Sequence, residues 1–347
     1  MLALRKTTSE EGLLLVEVDE PGAPGPGEVL IEVAATGICG SDISIQKWSP
    51  SYASFMSDVL PVTLGHETAG RVIAMGEGVT GPSIGTNVVV NPAVACGVCS
   101  ACRRGDPVGC IDRQAIGMVK DGAFARFLLA PASYCYPLPA NIPVELGALV
   151  EPLSVGAHAL ATGSFAPGQR VIVFGPGPIG QGTAALAMRM GAREVAVVGR
   201  NDAPRLSVLR QMGIDHLVDM ADVDGGARLI EAAGEGFDLA VEATGAASVI
   251  NQALSTLRPQ GILVLTGIGE EQACFDALRV VRSRLQIRGA SRVPPSAWET
   301  VLRVLGEDPF FFSPLVTHRF PLSEAPVALG LCSSRQASKV ILVPGAR

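Results

Sequence analysis

Positive charge is in short supply in this sequence. Lysine and arginine number 27 against 33 aspartates and glutamates, lysine itself occurs only at Lys6, Lys47, Lys120 and Lys339, and the formal net charge is −6. No basic patch of the kind that draws nucleic acid or an anionic membrane is expected. Charge of either sign is sparse: 17% of residues are charged and 48% hydrophobic, so the chain has material for a large interior and does not fit the disordered class. Long apolar runs are also missing, because Glu151 and Pro152 interrupt the most apolar stretch, and no membrane span is expected. The opening MLALRKTTSEEG lacks the apolar core and small-residue cleavage site of a signal peptide. The expected compartment is therefore the cytoplasm, where thiols stay reduced. No fixed-period repeat or low-complexity segment interrupts the 347 residues, enough for two domains with separate cores.

Four of the eight cysteines crowd into residues 91–110, NPAVACGVCSACRRGDPVGC, as Cys96, Cys99, Cys102 and Cys110. In a reducing compartment such clustering reads as metal ligation before it reads as disulfides. Two-residue gaps let consecutive thiolates reach one ion, and Gly97 and Gly109 supply the turns around it. Four thiolates leave no open coordination position, so a structural zinc is expected. Buried free cysteines or an iron–sulfur cluster are the competing readings. The late fourth cysteine and the absence of the usual following proline speak against the cluster.

The texture of the chain changes near Pro167. Before it, segments such as GEVLIEVAATGICGSD and AGRVIAMGEGV are rich in β-branched residues and glycine, predicting short strands and tight turns. After it, QRVIVFGPGPIGQGTAALAMRMGAREVAVVGR reads as strand, glycine turn, amphipathic helix and strand, a βαβ unit. Further strands are expected at FDLAVEATG, GILVLTGIG and LQIRGA, with a helix at SVINQALSTL. Gly175, Gly177 and Gly180 form G-x-G-x-x-G between the first strand and its helix. That arrangement permits a sharp turn and aims helix N–H groups at a pyrophosphate, with a glycine-rich packing turn as the bland alternative. The second strand ends in Gly199 and Arg200 where NAD-binding chains usually carry a carboxylate for the ribose 2′-OH. An arginine there pairs with a 2′-phosphate, so NADP is expected over NAD. Asp202 lies two or three residues too far along unless the loop folds back.

A second possible ligand set is dispersed: Cys39 in GICGSD, His66 and Glu67 in LGHETAG, and Glu151 in VEPLSVGAHA. Cys, His and carboxylate with an open position is the composition of a zinc site that does chemistry. Spacing alone does not show that these residues converge.

These motifs, taken together and in this order over essentially the whole chain, resemble the zinc-dependent medium-chain dehydrogenase/reductases of the alcohol dehydrogenase superfamily, in the branch of sorbitol (polyol) and threonine dehydrogenases. The resemblance implies an α/β protein. A GroES-like, mostly-β catalytic domain would cover residues 1–153 and 292–347. A Rossmann domain with a doubly wound parallel sheet would be inserted over 154–291, leaving the active site in the cleft. It implies that Cys39, His66 and Glu67 hold a catalytic zinc, with Glu151 as a ligand or acting through water, and that the cysteine loop holds the structural zinc. For the dinucleotide it adds Pro178, Ile179, Arg205, Thr244 and Gly267 to Gly175, Gly177, Gly180, Gly199 and Arg200. His158, His216 and His318 match no ligand position.

The activity implied is hydride transfer between a small-molecule alcohol and NAD(P), giving a ketone. Ser41 would touch the reacting oxygen and begin a proton relay, and Asp42 would orient the metal histidine; a turn-forming role is the alternative for Asp42. Many relatives carry His three residues after the relay hydroxyl, whereas this chain has Ser44, so the relay would end in water or the cofactor ribose. Phe124 and Arg292 fall where polyol dehydrogenases contact substrate; residues 44–61 would overhang the zinc, where Trp48, Tyr52 and Phe55 could wall a pocket, with ordinary loop packing as the competing reading for these three. A polyol, sugar or cyclitol is favoured, with an amino alcohol such as threonine or an aminocyclitol open. A non-catalytic NADPH-binding scaffold is the reading from another class, disfavoured because the reactive ligands are all present. A homodimer or homotetramer is the implied assembly.

Overall fold

A computed structural model describes residues 1–345, which form two compact units: Met1–Glu151 together with the segment from Val316 onward, and Pro152–Leu315.

The first unit is built on a seven-stranded sheet. Its central strand Glu28–Gly37 alternates buried and half-exposed residues for most of its length, the period-2 pattern of a sheet with one packed face. It pairs antiparallel with Glu67–Met75, Phe127–Pro131 and Lys339–Val343. One core cluster includes Val29, Ile31, Val33, Val72 and Val88. The other, including Leu4, Ile45, Met56, Leu64, Phe124 and Leu329, lies under the helices Gly40–Gln46 and Ala325–Ser333. The cysteine loop departs from this unit between two short paired strands, Ala93–Val94 and Gln114–Ala115.

The second unit is a six-stranded, all-parallel sheet. In space the strands run His216–Asp219, Glu194–Gly199, Arg170–Phe174, Phe237–Glu242, Leu257–Leu265 and Gln286–Gly289. In order of their appearance in the unit this is 3-2-1-4-5-6, the doubly wound arrangement with its switch point between the first and fourth strands. The central strand Val171-Ile172-Val173-Phe174 is buried on both faces, hence its unbroken apolar run. The strands at FDLAVEATG, GILVLTGIG and LQIRGA and the helix Ala247–Ser255 appear as the sequence predicts.

The first compact unit resumes at Val316, where the resemblance implied a return near 292. The helix Pro295–Glu307 buries Trp298, Val301, Val304 and Leu305. Its Arg303, Val304 and Glu307 line a depression with Phe165, Pro167 and Met190 of the second unit, and Arg189 reaches Asp308 at 3.6 Å. Glu151 and Pro152, which interrupt the apolar stretch in the sequence, lie within a continuous helical segment. A 3₁₀ turn Val144–Leu149 passes directly into the helix Val150–Thr162, where Pro152 occupies the first turn and needs no N–H partner. The run Val144–Thr162 is the one described helix long and apolar enough to cross a membrane, and 67% of its apolar window is buried inside the protein.

Candidate active site

Three chain segments end at one edge of the first unit's sheet. The strand Glu28–Gly37 leads through Ile38 to Cys39, which begins the helix Gly40–Gln46; Glu67 opens the next strand opposite Gly37; and Lys339 opens the strand whose Ile341 pairs with Gly37. Topology thus brings together residues nearly three hundred positions apart. One sulfur, nitrogen or oxygen each from Cys39, His66 and Glu67 lies within 4.8 Å of the others. The close approach demands glycine at position 37, since a Cβ there would sit 1.9 Å from Glu67 Oε2.

Asp42 holds this group in place. Its Oδ2 accepts the Cys39 N–H at 2.8 Å, capping the helix, and its Oδ1 lies 3.7 Å from His66 Nδ1. His66 Nε2 faces the other way and lies 3.4 Å from Ser41 Oγ. Both oxygens of Glu67 engage Lys339 Nζ at 2.6 Å, and that ammonium also donates to Ile38 O at 2.9 Å.

The electrostatics describe a buried pocket with surplus negative charge. Burial pushes the Asp42 carboxyl up to about 6 and that of Glu151 to about 7, although His66 opposes both. Burial also works against a charged His66, yet Asp42 and the Cys39 thiol raise its pKa well above the ordinary imidazole value. Lys339 is the one buried lysine in this group, and Glu67 holds it charged against its own desolvation. A cation fits such a cluster, and sulfur, imidazole nitrogen and carboxylate oxygen are donors suited to zinc. Glu151 stands near enough for His66, Glu67, Lys339 and Asp42 to act on its carboxyl, while the donor atoms that lie within 4.8 Å of one another are those of Cys39, His66 and Glu67.

The cysteine loop forms a second candidate metal centre. The sulfurs of Cys96, Cys99, Cys102 and Cys110 lie within 4.8 Å of one another. The Cys99–Cys102 pair is 3.5 Å apart, far beyond a covalent S–S bond of about 2.05 Å, so these are free thiols. Backbone N–H groups point at sulfur: Cys96 N–H donates to Cys110 Sγ at 3.3 Å and Cys99 N–H to Cys96 Sγ at 3.4 Å. The N–H groups of Cys102 and Ile111 pull the Cys99 thiol down to about 6, and that of Cys96 lowers Cys110. Burial and the neighbouring thiols push Cys102 the other way, up to about 12, so the amides favour thiolate at Cys99 and Cys110.

In the second unit the glycine turn sits at the carboxyl end of the parallel strands. Gly175 has φ +99°, Gly177 caps the helix Pro178–Arg189, and Gly180 approaches so closely that a Cβ would lie 1.9 Å from Gly175 O. The space beside Gly177 is open. Thr244 and Gly267 follow the neighbouring strands, and a Cβ on Gly175 would meet Thr244 Cγ2 at 2.7 Å. The structure thus brings together Gly175, Gly177, Gly180, Thr244 and Gly267 at the switch point, a cradle suited to a dinucleotide. At the end of Glu194–Gly199, Arg200 is exposed. Asp202 does fold back: its Oδ2 accepts the Arg200 N–H at 3.2 Å, and its carboxylate lies 3.6 Å from Arg205.

Sequence comparison decides the family. Residues 25–140 match the family model of the alcohol dehydrogenase GroES-like domain, and residues 178–307 that of zinc-binding dehydrogenases. The chain belongs to the zinc-binding alcohol dehydrogenase family. It is similar to a sorbitol dehydrogenase of Halalkalibacterium halodurans, 34% identical over 347 residues covering 99% of each chain. It is also similar to an L-threonine 3-dehydrogenase of Pyrococcus furiosus, 33% identical over 92% of this chain and 91% of the relative. Among solved structures, an alcohol dehydrogenase from Escherichia coli CFT073 complexed with NADH aligns with a TM-score of 0.87 and 27% identity over 99% of both chains.

The remaining expected residues of this dehydrogenase divide. Ser41 and Asp42 stand beside the ligand group, but Ser44 Oγ turns back to donate to Gly40 O at 3.2 Å. Trp48 is half-buried with a left-handed backbone (φ 53°), and the buried Lys6 ammonium lies 4.8 Å from its ring centroid. Phe124 is completely buried in the core under the ligand helix, where a Cβ on Gly65 would strike its ring. That placement packs Phe124 against Gly65, the residue before His66. Arg292 is exposed, with φ 63°, and belongs to the second unit. Sequence reasoning missed Lys339 and Glu242. The first has a legible signal, a lone lysine opening the apolar strand KVILV. Glu242 is buried at the end of its strand and accepts the N–H groups of Thr244 at 2.6 Å and Gly245 at 2.9 Å, which shapes the turn beside Gly175.

Proposed function

We propose that this dehydrogenase moves hydride between a secondary alcohol of the polyol, sugar or cyclitol class and NADP, giving a ketone. The convergence of Cys39, His66 and Glu67, whose donor atoms lie within 4.8 Å of one another, carries the reading. Those residues would hold the catalytic zinc, and Cys96, Cys99, Cys102 and Cys110 a structural one. Bound there, zinc would supply Lewis-acid polarisation of a substrate hydroxyl, and the dinucleotide would supply the hydride acceptor.

The chain's own residues then orient and move the proton. Asp42 fixes Cys39 through its N–H and faces His66 Nδ1, so the imidazole presents Nε2 to the ligand group. Ser41 Oγ, beside His66 Nε2, accepts the proton leaving the substrate hydroxyl in the oxidative direction. Gly175, Gly177 and Gly180, with Pro178 and Ile179 at the helix start, would admit the pyrophosphate, and Thr244 and Gly267 would border the nicotinamide side.

The exposed guanidinium of Arg200 supports NADP, since Arg205 already offsets the Asp202 carboxylate. One observation favours NAD as a second reading: Asp202 Oδ1 is buried without a hydrogen-bond partner, an acceptor suited to a ribose hydroxyl. The likeness to a threonine dehydrogenase favours an amino alcohol as the second substrate reading. Exposed Ile268, Phe275, Leu278 and Val281 support self-association into a homodimer or homotetramer, which light scattering on the purified protein measures. The deciding experiment combines metal analysis with turnover of polyols, cyclitols and amino alcohols on each cofactor. About two zinc ions per chain with polyol turnover are expected. One zinc per chain and no turnover on any alcohol would leave a non-catalytic scaffold instead.

A further inference from the structure

One buried carboxylate of the second unit belongs neither to the proton relay nor to the metal group. Glu242 ends the strand Phe237–Glu242 beside the glycine turn, and only 2% of it is exposed. It ties together the two turns on that side of the switch point. Its carbonyl accepts the N–H groups of Thr266 at 2.9 Å and Gly267 at 3.0 Å. Its Oε1 accepts those of Thr244 at 2.6 Å and Gly245 at 2.9 Å, and the Thr244 hydroxyl as well. The turns interlock at their glycines: a Cβ on Gly267 would lie 2.1 Å from Gly245 N and 2.7 Å from Glu242 Oε2. All three side-chain bonds fall on Oε1 and come from neutral donors, so dipoles hold this carboxylate in place.

We propose that the Glu242 carboxylate weights the dinucleotide site toward the oxidised, positively charged nicotinamide over the neutral reduced one. The inference rests on the reading of this unit as an NAD(P) site. A doubly wound sheet takes the two halves of a dinucleotide on either side of its switch point. With the pyrophosphate at Gly177 and the far ribose at Arg200, the adenosine half would lie over the unit's first and second strands. The nicotinamide half is left the fourth and fifth strands, which end at Glu242 and Leu265. Hydride transfer turns the nicotinamide ring from a cation into a neutral group and alters no other charge of the dinucleotide. A fixed negative charge on that side therefore binds the two forms unequally. Burial lowers the dielectric around Glu242 and extends the reach of its charge, while the amides and the hydroxyl fix its position. Glu242 is thus a specificity-determining residue for the redox state of the cofactor, separate from the residues that choose between NAD and NADP.

Calorimetric titration of the full-length zinc-loaded protein with the oxidised and reduced forms of each cofactor tests this without turnover. Glu242→Gln keeps an acceptor oxygen for the three donors and removes only the charge. It is expected to raise Kd for the oxidised form about five- to tenfold and to change Kd for the reduced form less than twofold. Equal weakening of both forms assigns Glu242 to the shape of the turn alone and overturns the proposal, as does an unchanged pair of constants. Thr244→Val gives an independent reading with the carboxylate left in place. It removes one donor of three, leaves the charge less offset, and should move the ratio of the two constants about twofold toward the oxidised form. A ratio that stays put or moves the other way overturns the proposal whether or not Glu242→Gln folds. A parent protein that binds neither form of either cofactor would remove the underlying reading of the unit, and this proposal with it.

Discussion

At the scale of single residues, charge placement makes two predictions. Arg200 is exposed where the second strand of the parallel sheet ends, so its contact with a 2′-phosphate would be charge-assisted, worth about 1.5–3 kcal/mol or roughly ten- to a hundredfold in affinity. Arg200→Ala should therefore erode a preference for NADP through the cofactor KM, with kcat little changed, as steady-state kinetics with both cofactors will show. The tempting reverse substitution at Gly199 is uninformative. A Cβ there would lie 2.9 Å from Pro176 Cγ and 3.1 Å from Asp202 Cβ, so Gly199→Asp disturbs the turn itself, whereas Arg200→Asp changes only the charge. The second prediction concerns Lys339, buried against Glu67. Lys339→Met strands a buried carboxylate and should cost about 3–5 kcal/mol, read as a lowered denaturation midpoint. Glu67→Gln combined with it should recover part of that loss.

At the scale of elements, the cysteine loop is held by short strands at its base and by sulfur–amide contacts within it, with little apolar packing of its own. Its order should depend on the metal. Cys99→Ser is expected to lose one zinc per two sites and lower the melting temperature while dinucleotide binding is retained, because the glycine turn belongs to a separate unit. Zinc analysis and a cofactor fluorescence titration check the two halves of that statement. The loop and the βαβ turn were legible in the sequence because their chemistry is local: cysteine spacing, and glycines between an apolar strand and a helix. The return of the chain at Val316 was not, because it depends on which unit buries Trp298 and Val304, a tertiary matter that periodicity leaves open. Nor was Lys339, whose partner lies across the sheet.

At the scale of the whole molecule, the second unit carries an acid-sensitive set of carboxylates. Arg170 pairs with Glu194 and holds its carboxyl below the ordinary glutamate value. Burial works against ionised Asp219 and Asp238, yet both are lowered from 3.8. For Asp219 the donors are the amides of Ala221, Asn201 and Asp202; for Asp238 they are the Arg170 amide and the Arg258 guanidinium. Groups depressed in the folded state stabilise it fully above their unfolded pKa values and lose that contribution as pH falls through the folded ones. Stability should thus hold above about pH 4.5 and fall below it. Asp238→Asn should melt below the parent near neutral pH, with the gap closing as the solution is acidified. A gap of constant size would exclude the carboxylate's charge as its source.

The strand Lys339–Val343 lies inside the first unit's sheet, between Glu28–Gly37 and Val316–Pro321, although it follows the whole of the second unit in the sequence. During synthesis the second unit is therefore one uninterrupted segment that can fold as it emerges, while the first waits with a hydrogen-bonding edge unpaired. The same strand delivers the ammonium that neutralises Glu67, so the ligand group exists in its balanced form only once residue 339 has left the ribosome. A nascent chain arrested before that point would hold a finished nucleotide fold and a metal pocket still short of its counter-charge.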